Sequence, residues 1–201
     1  MATVKDEFNK KGYFENENIL NFNRMVLRDI NLDFFPMAAP TDEQVEKSLT
    51  HTSGLADVMQ KEFESKTGNL ISIKDPRVVL LQDLYLKQSY FIRTNGAAWL
   101  PNFKVILLRR NIHDVAHSMC RMRPNLSLSD ARTVWTVYDY LLDDMKDKAE
   151  TLEVRFEDVL GDPVASMERL CAWIGVEPQE EVILKFIDRK LVHFENSSSD
   201  F

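Results

Sequence analysis

The feature that most constrains the fold is a buried-strand pattern at residues 103–109, FKVILLR. Its uninterrupted apolar centre is typical of a strand covered on both faces of a sheet. Two further strands are predicted at residues 70–74, which are short and rich in Ile and Leu, and at residues 151–156, TLEVRF. The first is followed by Asp75 and Pro76, and the residue before a proline avoids helical backbone. Helical patterns separate the three predicted strands. Strands that alternate with helices predict a parallel α/β sheet with right-handed crossovers, in which ligands bind at the carboxyl ends of the strands.

Apolar residues recur at helical spacing between and before these strands. Residues 18–30 form one such pattern, with Ile19, Phe22, Val26 and Ile30 on a single face. Thr41 and Gln44 have the form of a capping box, which predicts a helix over residues 41–68, with Gly54 as its weak point. The remaining predicted helices are residues 77–91, residues 114–121, a long helix that begins after Ser127, and a helix between Asp162 and Gly175.

Length and charge bound the class of protein. A chain of 201 residues is enough for one domain, residues 1–201, and we expect residues 194–201 to be a loose tail. The formal net charge of −7 provides no global basic surface for nucleic acid or for an anionic membrane. Residues 1–11 are strongly charged, and no apolar stretch approaches the roughly 20 residues that span a bilayer, so we expect no signal peptide, no anchor and a cytoplasmic protein. Cys120 and Cys171 are too few for a disulfide framework.

A local cluster of cations stands out against this acidic background. The strand at residues 103–109 leads directly into Arg110, and Ser118 follows eight residues later, with Arg121 and Arg123 beyond it. Arginine presents a fixed fork of donors that suits phosphate oxygens, and a serine hydroxyl adds another hydrogen bond. The residues therefore predict a phosphate site at the end of this strand. The alternative is that Arg110 pairs with an acidic surface residue and that Ser118 is an ordinary helix position.

The stretch at residues 110–118, RNIHDVAHS, resembles the segment of sulfotransferases that binds the 3′-phosphate of 3′-phosphoadenosine 5′-phosphosulfate. Three further stretches resemble the family in order and distance: KDPR at residues 74–77, Trp135 with Tyr138, and VRFED at residues 154–158 followed by Asp162 and Pro163. The resemblance runs over residues 12–192 and is greatest to bacterial and tyrosylprotein sulfotransferases. It implies a three-layer, P-loop-NTPase-like parallel sheet flanked by helices.

The resemblance also implies an activity and a cofactor. The family transfers a sulfuryl group from 3′-phosphoadenosine 5′-phosphosulfate to a hydroxyl or amine acceptor and releases adenosine 3′,5′-bisphosphate, without a metal. By this resemblance Arg110 and Ser118 would hold the 3′-phosphate, and Phe156 would lie beside the adenine in the place of a common tyrosine. Arg77 and Arg121 are the further candidates for contacts with the nucleotide. The acceptor is unknown, because loops rather than these motifs form its pocket.

Two residues are candidates for the transfer step. Lys74 matches a lysine that reaches the sulfuryl group, where a cation stabilises the charge that develops during transfer. Glu15 ends a GYFE stretch at residues 12–15 that resembles bacterial members, and it is the candidate base for the proton of the acceptor. The alternatives are that Lys74 pairs with Asp75 or another acid, and that Glu15 is a solvated residue at the start of a helix.

One departure from the family bears on activity. Its members begin with a strand and a loop of the type P-K-S-G-T-T or H-R-S-G-T-S, whose backbone amides bind the 5′-phosphosulfate. No glycine of this sequence lies in such a setting. We therefore expect the first strand and its loop to be missing, the sheet to have an unpaired edge that favours homo-oligomers, and catalysis by this chain alone to be weak or absent. Truncation, completion by a partner chain, and a relic that binds without catalysis would each explain the departure.

Two other classes of protein are alternatives to the transferase. The first is a non-catalytic nucleotide-binding or interaction module derived from a sulfotransferase. The second is a zinc metallohydrolase that would use His113 and His117, which are four residues apart on a predicted helix. The sequence provides no recognisable third ligand for zinc.

Overall fold

The computed structural model describes residues 15–64, 72–94 and 104–186. The elements in chain order are α1 (Glu17–Asp29), α2 (Asp42–Leu49), α3 (Thr52–Glu64), α4 (Arg77–Leu80), α5 (Gln82–Thr94), β1 (Lys104–Arg109), α6 (Ile112–Met122), α7 (Leu128–Lys148), β2 (Glu150–Arg155), α8 (Phe156–Gly161), α9 (Pro163–Ile174) and α10 (Glu180–Phe186). Two compact units divide the chain: unit 1 comprises Met1–Phe103 and Thr136–Lys148, and unit 2 comprises Lys104–Trp135 and Ala149–Phe201. Helix α7 contributes to both. None of the helices in the described ranges has the length and apolar character needed to cross a membrane.

Helix α1 of unit 1 confirms the first predicted helix. The Asn16 side chain accepts a hydrogen bond from the backbone N–H of Ile19 and so caps its first turn. The predicted apolar face, Ile19 with Phe22, Val26 and Ile30, is buried. This face packs against α3 and α4, so the helical spacing of the apolar residues reports the core correctly.

The helix predicted over residues 41–68 is divided into α2 and α3. Its start is as predicted, because Thr41 and Gln44 form both hydrogen bonds of a capping box. The division follows from hydroxyl groups: the side chains of Ser48, Thr50 and Thr52 each donate to the carbonyl three residues earlier and compete with the helical pattern. Residues 65–68 lie outside the described residues.

Gly54 lies inside α3 for a packing reason. A Cβ atom at this position would lie 3.2 Å from Cε2 of Phe22, which is closer than ordinary van der Waals contact. The absence of a side chain at Gly54 therefore lets α1 approach α3, which the sequence pattern did not reveal.

The strand predicted at residues 70–74 is not present in its described part. Residues 72–75 have no regular structure, while Leu70 and Ile71 lie outside the described residues. A strand needs a neighbouring strand for its backbone N–H and C=O groups, and the strands that the structure describes pair only with each other. The following helix, predicted over residues 77–91, is broken at Leu81 into α4 and α5.

Unit 2 contains a small parallel sheet of β1 and β2, which pair in register from Lys104 with Glu150 to Arg109 with Arg155. Within the described ranges β1 pairs with β2 alone. The expectation that both faces of the first strand are covered is wrong for the described residues, since Leu107 is buried whereas Ile106 is 44% and Leu108 is 56% exposed. The fold is therefore a mixed arrangement of helices with a small parallel sheet.

Side-chain caps begin three helices of unit 2. Ser127 accepts from the backbone N–H of Asp130 and Asp162 from that of Ala165, which confirms the two predicted caps. Asn111, for which no cap was predicted, accepts from the backbone N–H of His113. Helix α6 accordingly begins at Ile112, two residues earlier than predicted. Helix α9 ends at Gly175, whose φ of 81° lies in the left-handed region that favours glycine. The predicted tail at residues 194–201 lies outside the described residues.

Candidate functional site

The carboxyl ends of β1 and β2 bring two predicted site residues together in unit 2. Arg109 pairs in register with Arg155, so the next residues along the two strands, Arg110 and Phe156, are also neighbours. The guanidinium carbon of Arg110 lies 4.5 Å from the centre of the Phe156 ring. This cation–π contact fixes the plane of the guanidinium without using its N–H donors.

The Arg110 guanidinium retains hydrogen-bonding capacity. Its Nε atom is buried and has no hydrogen-bond partner among the described residues. Its Nη2 atom lies 3.8 Å from the Asp114 carboxylate, so Arg110 does form an ion pair with an acid, as the alternative interpretation held, but at a distance too long for a hydrogen bond. A buried donor without a partner is unfavourable unless a ligand or water supplies an acceptor. The arrangement at Arg110 therefore fits an anionic group such as a phosphate.

A second contact joins the segments that follow the two strands. The backbone N–H of Asn111 donates to Oε1 of Glu157 at 2.8 Å. Glu157 thereby ties the residue that caps α6 to the start of α8, and it fixes the backbone beside Arg110. The sequence assigned no role to Glu157, although it belongs to the VRFED block, because its partner is far away in the chain.

Helix α6 carries two further predicted contacts with the nucleotide, Ser118 and Arg121. Asp114, Ser118 and Arg121 are four and three residues apart, which places them along one face of the helix. Ser118 is half-buried, and Arg121 is exposed. The structure thus brings Arg110 together with Phe156, and it places Ser118 and Arg121 on the helix that Arg110 precedes.

Lys74 and Glu15 meet in unit 1. Nζ of Lys74 lies 3.2 Å from Oε1 of Glu15, with the Lys74 side chain 55% and the Glu15 side chain 16% exposed. Lys74 therefore does pair with an acid, as the alternative interpretation held, and that acid is the candidate base.

Arg77 also lies in unit 1, and its partners are protein groups. Nη1 of Arg77 lies 2.8 Å from Oδ1 of Asp75, and the guanidinium carbon lies 4.3 Å from the centre of the Phe34 ring. Asp75 in turn accepts a hydrogen bond from Nδ2 of Asn23 at 2.9 Å, and Asn23 accepts one from the Tyr85 hydroxyl at 2.8 Å. Asp75 and Arg77 of the KDPR stretch therefore belong to a buried polar network.

Trp135 and Tyr138, the aromatic pair of α7, differ in burial. Tyr138 is buried, and its hydroxyl donates to the carbonyl of Phe34 at 2.8 Å, whereas Trp135 is half-buried. Burial raises the pKa of Tyr138 far above its usual value of 10.0. The charge of Arg77 opposes this rise, and the carboxylates of Asp75 and Asp33 add to it. Tyr138 therefore stays neutral and acts as a hydrogen-bond donor.

The predicted metal alternative finds no support in the described residues. No group of three or more His, Cys, Asp or Glu side chains in residues 15–64, 72–94 and 104–186 could hold a metal ion. Nη2 of Arg132 lies 3.2 Å from Nδ1 of His113, which places a cation beside one of the two imidazoles. A cation at that distance opposes the binding of a second one.

Comparison with known proteins identifies the family of the chain. The model of the sulfotransferase family matches residues 40–181, which is more than half of the chain. The chain belongs to the sulfotransferase family. No curated protein and no solved structure matches it significantly.

Proposed function

We propose that this protein binds 3′-phosphoadenosine 5′-phosphosulfate and transfers its sulfuryl group to a hydroxyl or amine acceptor. Family membership supports the class of reaction. The observation that carries the nucleotide assignment is Arg110, which stacks on Phe156 at 4.5 Å while its buried Nε has no partner among the described residues. Such a guanidinium is oriented in advance and can still donate hydrogen bonds to a phosphate.

The proposal assigns the other nucleotide contacts in unit 2 as follows. Ser118 adds a hydroxyl donor for the 3′-phosphate, and Arg121 adds a positive charge on the same face of α6. Phe156 provides a flat apolar surface for the adenine. We also infer the three-layer, P-loop-NTPase-like sheet of the family, for which the parallel β1–β2 pair with its helical connection provides support.

In the transfer step, the acceptor oxygen or nitrogen forms a bond to sulfur. The bond between sulfur and the oxygen of the 5′-phosphate breaks, and adenosine 3′,5′-bisphosphate leaves with the bonding electrons. Glu15 takes the proton of the acceptor, and Lys74 stabilises the negative charge on the sulfuryl oxygens. The ion pair between Lys74 and Glu15, at 3.2 Å, holds the two candidate residues side by side.

The first test is calorimetric titration of adenosine 3′,5′-bisphosphate into the purified chain. We expect saturable binding that Arg110→Ala weakens by about tenfold or more, because charge-assisted hydrogen bonds to phosphate are lost. Arg24→Ala is the matched control, since it removes the same charge from an exposed position on α1. Absence of binding by the wild type, or equal weakening in the two variants, would refute the nucleotide assignment.

The second test is transfer itself. The donor is incubated with the protein and a panel of alcohols, sugars, phenols and amines, and the release of adenosine 3′,5′-bisphosphate is measured. We expect release that depends on an acceptor and is lost in Lys74→Ala. Binding of the bisphosphate without release by any acceptor would instead identify a nucleotide-binding module.

A further inference from the structure

Two bridges connect the start of α1 to residues 72–75 in unit 1. The outer bridge is the ion pair between Lys74 and Glu15, at 3.2 Å. The inner bridge is the hydrogen bond from Nδ2 of Asn23 to Oδ2 of Asp75, at 2.9 Å. Asp75 is the residue next to Lys74, and Asn23 lies about two turns into the helix whose cap follows Glu15. The two bridges therefore run between the same two segments of the chain.

The inner bridge belongs to a larger buried network. Oδ1 of Asp75 accepts from both the backbone N–H and Nη1 of Arg77, at 2.9 and 2.8 Å. Oδ1 of Asn23 accepts from the Tyr85 hydroxyl, which belongs to α5. Both carboxylate oxygens of Asp75 and both polar atoms of the Asn23 side chain are thus engaged. The network joins α1, the turn before α4, and α5.

The two bridges differ in their ability to fix a geometry. An ion pair with an exposed lysine contributes little to stability and does not by itself fix the geometry of a site. A buried and fully hydrogen-bonded charge network is rigid, because breaking any of its contacts leaves a polar group or a charge unpaired away from water. The side chains of Asp75 and Arg77 are only 2% and 11% exposed. The inner network therefore sets the spacing of the two backbone segments from which Lys74 and Glu15 extend.

We propose that Asn23, Asp75 and Arg77 are positioning residues that hold Lys74 beside Glu15 for contact with the transferred group. The inference rests on the role of Lys74 in the proposed function. Arg77 then acts through Asp75, and its guanidinium, enclosed by Asp75 and Phe34, does not contact the nucleotide.

The test compares two ligands that differ only in the sulfuryl group. Calorimetry gives the dissociation constants of 3′-phosphoadenosine 5′-phosphosulfate and of adenosine 3′,5′-bisphosphate, and their ratio isolates the contribution of the sulfuryl contact. Lys74→Ala removes the sulfuryl contact itself and should lower the preference for the phosphosulfate by about tenfold. This loss is the reference for the other variants. Asp75→Asn and Arg77→Lys, which keep the size or the charge of the side chain, should each lower the preference by about threefold or more. Binding of the bisphosphate should stay within about twofold of the wild type in all three variants.

Two outcomes would overturn the inference while the proposed function stands. In the first, Asp75→Asn and Arg77→Lys leave the preference unchanged although Lys74→Ala lowers it. In the second, both variants weaken the two ligands equally, which is the result of a purely structural role. Lys87→Ala, at an exposed position on α5, is the control for loss of a charge in unit 1.

A third outcome separates failure of the proposed function from failure of this inference. If the wild type binds neither ligand, or if Arg110→Ala has no effect, the nucleotide assignment is wrong and the positioning role falls with it. If Asp75→Asn or Arg77→Lys does not fold, Tyr85→Phe replaces it, because that change loosens Asn23 without altering a charge. An unchanged ligand preference in a folded Tyr85→Phe variant would then count against the network.

Discussion

Replacement of Tyr85 by phenylalanine tests the buried network through the stability of the chain. Tyr85 is buried and donates a hydrogen bond to Asn23. Burial raises its pKa far above the usual value of 10.0, and the nearby charge of Asp75 raises it further. Above pH 10 the unfolded chain releases this proton while the folded chain retains it. The unfolded state then binds fewer protons, so the free energy of unfolding falls as the pH rises.

The size of the effect follows from linkage. Each tyrosine that stays protonated in the folded state lowers the free energy of unfolding by about 1.4 kcal/mol per pH unit above its unfolded pKa. Tyr138 is a second such residue, so together they contribute a slope of about 2.7 kcal/mol per pH unit. Tyr85→Phe should remove half of this slope. At neutral pH the same variant should be less stable by about 1–3 kcal/mol, because Oδ1 of Asn23 is left buried without its donor.

The assay is urea unfolding followed by circular dichroism, at neutral pH and in steps above pH 10. Tyr140→Phe is the matched control, because Tyr140 is 63% exposed and loses no buried contact. Burial lowers the pKa of Lys148, but hydrogen bonds to Asp144 and Asp83 outweigh this effect and raise it. Lys148 contributes equally to the alkaline slope of every variant, so its contribution cancels in the comparison. If Tyr85→Phe has the same alkaline slope as the wild type, Tyr85 is not protected from ionisation and the reasoning is refuted.

Three further changes test local elements by urea unfolding. Gly175→Ala should destabilise the protein by about 1 kcal/mol, because φ at this position is 81° and a Cβ is strained there. Gly161→Ala should instead stabilise it by about 0.5–1 kcal/mol, since an added Cβ meets nothing within 4 Å; the same sign for both glycines would contradict the argument. Thr41→Ala should cost about 1 kcal/mol through loss of the capping box, and an unchanged midpoint would show that the cap contributes nothing.

Local patterns predicted much of the fold. The buried face of α1 and the caps at Thr41, Ser127 and Asp162 depend on residues a few positions apart, so spacing alone predicts them. The strand at residues 103–109 was also predictable, because its apolar residues 105–108 are uninterrupted. The strand predicted at residues 70–74 rested on a much shorter run, which periodicity cannot assign by itself.

Contacts between distant parts of the chain could not be read from spacing. Asn23 and Asp75 are 52 positions apart, and Glu15 and Lys74 are 59 apart. Asn23 did leave one signal, since around the helix it is a polar residue between the apolar residues Val26 and Leu27. Such a residue must find a buried partner, but the sequence does not say which.

The most direct test of the central claim is a comparison of two nucleotides that differ only in the 3′-phosphate. Adenosine 3′,5′-bisphosphate and adenosine 5′-monophosphate are each titrated into the wild type and into Arg110→Ala. The wild type should prefer the bisphosphate by about tenfold or more, and this preference should disappear in the variant. A preference of the same size in both proteins would mean that Arg110 does not bind the 3′-phosphate.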